Sequence, residues 1–471
     1  MAEFIGREYE LSELGEHLER VVKAIGEAKP GRCLLLRGRR RVGKSRLVEQ
    51  FAEQCGAPML YFTASRSKLR EIELFVEEGA SSSLPGAVTF EGQRPTDWEA
   101  ALRLLAQVLP DDAASIVVLD EVPYLIDDDP TFEATLQKMW DRVLSAKPVL
   151  LVLVGSDMAM MEALSAHDRP FFQRGVEMVI PALSPVETRD FVGAKDSSAA
   201  LDAYMVTGGL PLLCDEWRRG VSLTKFLESQ LRSSTSPLIV SAERVLAAEF
   251  PADIQARDVL SVIGHGERTF SNIRTQAGIG EQSLARSLDL LVTKRVVARD
   301  LPLSTAPSKE SRYRIADSYL RFWLYFIGPY MDEIERGRSD LVMQRIVANY
   351  STWRGKAIEP VVREAMMRME SISGVKAPVV GGYWTRTNDV EIDLVGADRT
   401  PAKKLALIGS IKWRDTQPFS SSDLRDLLTG AARIPGHQSG LPTVGVSRTG
   451  FRAAPDIALG PDELIGAWGG A

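Results

Sequence analysis

The chain has 471 residues, 45% hydrophobic and 25% charged, an ordinary balance for a globular protein and enough for about three domains at ~150 residues each. A net charge of −6 gives no overall basic field for nucleic acid, so such binding needs a local patch. Three scattered cysteines show neither metal spacing nor a disulfide framework, the opening MAEFIGREYE lacks an apolar signal core, and no apolar run is long enough for a bilayer; the expectation is a cytoplasmic protein with no membrane partner.

The first informative segment is CLLLRGRRRVGKSRLVEQF. Its apolar start predicts a strand, residues 38–45 fit G-x-x-x-x-G-K-[ST], and Leu47, Val48 and Phe51 follow at helical spacing. This is the strand–loop–helix setting that a P-loop needs. Gly38 and Gly43 let the backbone curl so that successive N–H groups aim at phosphate oxygens. Nucleotide binding is therefore expected at Gly38, Arg39, Arg40, Arg41, Val42, Gly43, Lys44, Ser45 and Arg46, with Lys44 reaching the β- and γ-phosphates and Ser45 holding Mg²⁺. Arg39, Arg40 and Arg41 either add charge near the phosphates or are solvated loop residues.

ASIVVLDEVPYL predicts a fully buried parallel strand ending in Asp120, where open α/β sheets bind ligands. Asp120 is the expected Mg²⁺ carboxylate and Glu121 the general base. VLLVLVGSD predicts a third buried strand ending at Ser156, which either senses the γ-phosphate or forms a strand-end turn. RPFFQRG adds Arg169 and Arg174, an arginine that could stabilise phosphoryl charge in cis or from a neighbouring subunit.

From Ala182 the pattern becomes helical. ALSPVETRDFV carries Ser184 as N-cap, Pro185 at the first turn and Glu187 three residues on from the cap, a helix start. Three further helical patterns begin at PADIQARDVLSVIGHG, and a two-strand segment around a polar tip follows; together they predict a winged helix. Arg286, Lys294 and Arg295, read as carried by its third helix, would meet base edges or phosphates in a DNA reader, or the module packs within the chain. Tyr319, Phe322, Trp323, Tyr325 and Phe326 repeat at helical spacing and read mainly as core rather than as a base-stacking surface.

In order, FIGREYELSEL, GRRRVGKS, VVLDEVPYL, LVGSDMAMM, RPFFQRG and YMVTGGLPLLC resemble the archaeal-type ATPases of the STAND/AAA+ superfamily. The resemblance implies a nucleotide core, a helical lid and a winged helix. It implies Ser156 as sensor, Arg174 as the arginine following the sensor strand, and GGLP, with Gly209 and Pro211, in the lid near the nucleotide. By themselves, those glycines and the proline mark only a helix that stops and restarts.

The last part reads as helix, hairpin, strand, helix, strand. Its order resembles the PD-(D/E)xK nuclease fold, whose acids gather one or two Mg²⁺ ions. Residue by residue, Glu359 matches the helix acid, Asp393 the hairpin acid and Lys412 the lysine, while Ser410 stands where the family has an acid. Glu391 shares a strand face with Asp393, displaced by about 6–7 Å, and is the candidate replacement. The site is then an active metal nuclease, a degenerate domain binding DNA or protein, or a structural Lys412–Asp393 ion pair.

The expected architecture is α/β: a P-loop AAA+/STAND core with parallel sheet (1–181), a helical lid (182–245), a winged helix (246–330) and a restriction-endonuclease-like α/β domain (331–471). The expected function is an ATP- and Mg²⁺-dependent hydrolytic switch binding ATP and ADP. Its expected partners are double-stranded DNA, through the winged helix and C-terminal domain, or a protein, with another copy of the chain as a further candidate. An ATP-regulated DNA nuclease and a nucleotide-binding scaffold with little hydrolysis are the alternatives.

Overall fold

The structure is a computed structural model that describes residues 4–65, 70–250 and 254–469. These residues form two compact units, Met1–Ala182 and Leu183–Ala471.

In the first unit, strands β1 (Arg32–Arg37), β2 (Met59–Thr63), β3 (Ser115–Asp120), β4 (Val149–Gly155) and β5 (Val176–Val179) form one sheet in the order β2-β3-β4-β1-β5. Every pairing in it is parallel. All residues of β3 and β4 are buried, as continuous apolar runs are when helices cover both faces of a parallel sheet. The covering helices are α1 (Glu8–Lys23), α2 (Lys44–Cys55), α3 (Glu71–Ser81), α4 (Trp98–Val108), α5 (Val122–Asp128), α6 (Phe132–Arg142) and α7 (Met158–Leu164). One face of the sheet is filled by aromatic rings meeting edge to face: Phe62 on Phe75 at 5.4 Å, Phe75 on Trp98 at 5.6 Å, and Trp98 on Phe132 at 5.1 Å. Each such pair adds about 0.5–1.5 kcal/mol beyond its buried area. The strand order reverses at β1, which lies between β4 and β5. A crevice opens at the carboxyl ends of strands at such a point, and the loop that follows β1 is the P-loop.

The second unit begins with helices α8 (Pro185–Val192), α9 (Ser197–Thr207), α10 (Pro211–Asp215), α11 (Leu223–Leu231) and α12 (Pro237–Glu249). The N-terminus expected at Ser184 forms with its full capping box. Next come α13 (Ile254–Gly264), α14 (Phe270–Ala277) and α15 (Glu281–Thr293), with β6 (Arg268–Thr269), β7 (Val297–Asp300) and β8 (Arg312–Ile315) in an antiparallel sheet ordered β6-β8-β7. Residues 251–253, expected at the head of the first of these helices, lie outside the described residues. Helix α16 (Ser318–Phe326) buries Tyr319, Phe322, Trp323 and Phe326, so the aromatic run is core. The Tyr319 hydroxyl donates to the Leu238 carbonyl (2.8 Å) and Trp323 Nε1 to that of Ile239 (2.7 Å), tying α16 to α12.

After α17 (Met331–Glu335), α18 (Ser339–Ala357) and α19 (Glu359–Arg368), a mixed sheet is built from β9 (Val379–Trp384), β10 (Glu391–Ala397), β11 (Leu405–Lys412), β12 (Thr443–Ser447) and β13 (Ile457–Leu459). Helix α20 (Ser421–Ala431) connects β11 to β12, and α21 (Pro461–Gly466) follows β13. The segment GKAIEPVVREAMM, which supplies the first helix of the C-terminal order and carries Glu359, belongs to two helices, broken at Ile358. Pro360 lacks the N–H that would continue α18 and suits the first turn of a new helix. The expected hairpin β9–β10 is antiparallel, and β12, expected as the last strand, pairs in parallel with the three-residue β13. Among the described residues no helix is long and apolar enough to cross a membrane.

Candidate functional site

The loop from β1 to α2 can only be built with glycine at two points. A Cβ on Gly38 would sit 2.6 Å from the Ile180 carbonyl oxygen, and Gly43 has φ +87 at the N-cap of α2. Left-handed backbone there and at Arg41 (φ +69) bends the loop as an anion nest requires. Lys44 begins α2 and is buried; its Nζ donates to the carbonyls of Gly38 (2.9 Å) and Arg39 (3.1 Å) and to Ser156 Oγ (3.0 Å). Burial lowers its pKa, while Glu121 and Asp120 oppose the shift.

The two strand-end acids lie beside it. Ser45 Oγ donates to Asp120 Oδ2 at 2.7 Å. Ser156 Oγ, which receives the Lys44 ammonium, donates to Glu121 Oε1 at 2.7 Å. A continuous line of bonds therefore runs Lys44–Ser156–Glu121 across the ends of β4 and β3. Glu121 stands at φ +55, a left-handed conformation that non-glycine residues adopt rarely and often at functional sites.

Of the flanking residues, Arg40 Nη2 donates to the Tyr124 hydroxyl (2.7 Å). Arg39, Arg40 and Arg41 are half-buried rather than fully solvated. Val42 is buried. Arg46 turns along α2 to Gln50 and Glu53 (3.3 Å each). Arg169 pairs with Glu133, and Arg174 grips Asp141 through Nε (2.9 Å) and Nη2 (2.8 Å) while Nη1 donates to the carbonyls of Pro170 and Phe172. In the second unit Gly209 has φ +65, with its Cβ position 2.1 Å from the Leu183 carbonyl oxygen, and Pro211 opens α10.

Two residues of the site were not singled out from sequence. Tyr61, on β2, donates its hydroxyl to Asp120 Oδ2 at 2.7 Å. Burial, then Asp120, pushes its pKa up, so it stays a donor. Buried Arg7 donates to the carbonyls of Val42 (2.9 Å) and Pro181 (2.7 Å) and pairs with Glu10 (2.9 Å), clamping the P-loop from the start of the chain. The available signal was weak: one polar ring near the end of an apolar strand, and an arginine after a glycine.

The C-terminal residues are arranged differently. Antiparallel pairing matches Leu394 with Gly409, and one step further sets Asp393 opposite Ser410. Asp393 Oδ2 accepts from Ser410 Oγ (2.9 Å) and from the Ile411 N–H (2.8 Å). Glu359 is bound by Lys356 (3.0 Å) and Arg363 (3.2 Å); burial nonetheless pushes its pKa up to about 7. Glu391 is also bound by Lys356 (3.0 Å) and by Arg312 (3.2 Å). Burial raises the Glu391 pKa, but these cations hold it down at about 2. Glu391 is thus paired with cations instead of replacing an acid beside Asp393. Lys412 is half-buried, and among the described residues Asp393 is held by Ser410 and the Ile411 N–H rather than by an ion pair with Lys412. Among the described residues no group of three or more His, Cys, Asp or Glu side chains could hold a metal. This donor set does not fit the Mg²⁺ site that the nuclease resemblance implies.

The winged-helix candidates divide: Arg286 and Arg295 are exposed, whereas Lys294 lies 3.6 Å from Glu249.

Residues 323–425 match the model of the DUF234 family, described as archaeal and bacterial proteins of unknown function. The chain is similar to the uncharacterized protein MJECL04 of Methanocaldococcus jannaschii, 24% identical over 418 residues, which is 88% of each chain. Solved structures that it resembles include the Walker-type ATPase PABY2304 of Pyrococcus abyssi (TM-score 0.48, 19% identity, covering 68% of this chain and 96% of that one). Another is the Aeropyrum pernix ORC2 protein in its ADPNP–ADP complexes (TM-score 0.46, 14% identity, covering 74% and 96%). The chain thus carries a P-loop at the switch point of a parallel α/β sheet, and its residues 323–425 are similar to the DUF234 family.

Proposed function

We propose that the protein is an ATP-driven switch. The observation that carries this reading is the line Lys44–Ser156–Glu121 (3.0 and 2.7 Å) next to the Ser45–Asp120 pair (2.7 Å) at the mouth of the P-loop. With ATP over the loop, Lys44 exchanges the carbonyls of Gly38 and Arg39 for β- and γ-phosphate oxygens, and Glu121 takes the proton of the attacking water. Ser45 and Asp120 would hold Mg²⁺, which when bound supplies positive charge against the phosphate oxygens. One hydroxyl and one carboxylate fit that ion, since Mg²⁺ takes most of its ligands from water and phosphate. Ser156 senses the γ-phosphate, because the phosphate competes with it for Lys44. For Arg174 to stabilise phosphoryl charge it must first leave Asp141. Otherwise the arginine comes from a second copy of the chain.

Nucleotide state would bias the lid (182–245, with Gly209 and Pro211), the winged helix (246–330) and the nuclease-like domain (331–471), whose partner is DNA or a protein. Phosphate release from ATP tests the reading. Lys44→Ala and Glu121→Gln are each expected to lower it by about a hundredfold or more, with ATP still bound by Glu121→Gln. Unchanged release in either variant sinks the hydrolytic role. A wild-type protein that binds ATP without releasing phosphate would be the scaffold instead.

A further inference from the structure

The second unit contains a cavity of about 450 Å³, within the size range of small-ligand sites. Its wall is drawn from the end of α13, β6, β8, α16, α18 and β10. Five cations line it: Arg268, Arg312, Arg314, Arg321 and Lys356. Three are committed to carboxylates: Arg312 to Glu267 and Glu391 (3.4 and 3.2 Å), Arg314 to Asp300 (2.6 Å), and Lys356 to Glu359 and Glu391 (3.0 Å each).

Arg268 and Arg321 differ from these. Arg268 donates to the carbonyls of Glu267 (3.1 Å) and His265 (3.3 Å), and its buried Nε has no partner among the described residues. Arg321 donates to the carbonyls of Ala357 (3.1 Å) and Ile315 (2.8 Å). Backbone dipoles satisfy some of their N–H groups but do not neutralise their charge. Burial, helped by nearby Arg314, pushes the Arg321 pKa down to about 10, although Glu267, Glu359 and Asp300 oppose the shift. A buried cation in this condition gains most from an incoming anion. Beyond these cations the wall is mixed: Ile263, Tyr325 and Trp353 stand beside Asn272 and Asn388 and the carboxylates Glu267 and Glu391, both of which Arg312 holds.

We propose that this cavity binds a nucleotide-sized phosphate ester, with its phosphate on Arg268 and Arg321 and its apolar part against Tyr325. Planar guanidinium groups suit phosphate, and an aromatic face suits a base. A space of this size excludes a duplex. An occupant would join the β6–β8 sheet to α18 and β10, so it is a second ligand site independent of the P-loop.

The test uses the full-length Lys44→Ala variant, in which the P-loop has lost its phosphate ammonium. Calorimetric titration with AMP is expected to show one site per chain, weakened about tenfold or more by adding Arg268→Gln. Arg321→Gln should weaken it similarly. If loss of its two carbonyl bonds unfolds that variant, Arg268→Gln alone carries the test. No AMP binding to Lys44→Ala overturns the proposal, as does an affinity that Arg268→Gln leaves unchanged. Binding of a 5′-phosphorylated oligonucleotide without binding of AMP also overturns it, in favour of a nucleic-acid surface. Phosphate release from ATP by the wild type is read separately, so failure here and failure of the P-loop reading are distinguishable.

Discussion

At Asp120 two hydroxyls converge on one carboxylate oxygen, Ser45 from the P-loop and Tyr61 from the neighbouring strand, each at 2.7 Å. Ser45 would move to the metal when nucleotide binds, which leaves Tyr61 to hold the orientation of Asp120. Tyr61→Phe removes one hydrogen bond worth about 1 kcal/mol net. The expected result is a Mg²⁺ half-saturation of phosphate release raised by about fivefold, with kcat at saturating Mg²⁺ largely kept. A Mg²⁺ dependence identical to the wild type would remove Tyr61 from the site. Ser410 carries the opposite lesson. A carboxylate opposite Asp393 would repel it unless a cation lay between, whereas the serine hydroxyl donates to it at 2.9 Å. The serine hydroxyl and the Ile411 N–H together satisfy the aspartate.

At the scale of elements, start signals carried by neighbouring residues were the most legible. Ser184 with Glu187 and Pro185 start α8 as expected, and Ser420 with Asp423 forms the same capping box on α20. Asp423 is only 6% exposed. Burial raises its pKa, but Arg414 (2.8 Å) and Ser420 outweigh this and hold it at about 2 against an ordinary 3.8. A carboxylate with a depressed folded pKa stabilises the fold above its unfolded value, and that contribution is lost as pH falls through the folded value. Chemical denaturation between about pH 4 and pH 2 should therefore show a steeper loss of stability in the wild type than in Asp423→Asn. Equal slopes would mean that the box is not formed in solution. The break at Ile358 was not anticipated, because a proline tolerated in a first turn and one that ends a helix look alike until the preceding helix is placed.

At the scale of the molecule, distant segments of the second unit are joined by one buried carboxylate. Asp202 on α9 pairs with Arg354 on α18 (3.4 Å) and with Arg448 after β12 (2.9 Å). Burial raises its pKa and the two arginines oppose that. Asp202→Ala leaves both guanidinium groups without this partner and is expected to cost about 3–5 kcal/mol, read as a lower urea midpoint. A shift within error would show the network to be unimportant. The C-terminal acids Glu359, Glu391 and Asp393 make their own prediction. With Glu359 and Glu391 bound by Lys356 and Asp393 bound by Ser410, plasmid incubated with Mg²⁺ or Mn²⁺ is expected to remain supercoiled. Nicking that disappears in Asp393→Ala would reverse that conclusion.

The sequence by itself determined the P-loop, the buried strands leading to Asp120 and Ser156, and the helix start at Ser184. Each is a local pattern: glycines where backbone must curl, continuous apolar runs where a strand is covered on both faces, a cap residue three positions before its acid. It also brought Glu359, Asp393, Ser410 and Lys412 into question. Only the tertiary structure decided their partners. Arg7 reaches Val42 and Pro181, Lys356 joins Glu359 to Glu391, and Arg268 and Arg321 line one cavity. Hydrogen bonds and ion pairs act over about 3 Å, and which side chains come that close depends on packing between segments tens to hundreds of residues apart.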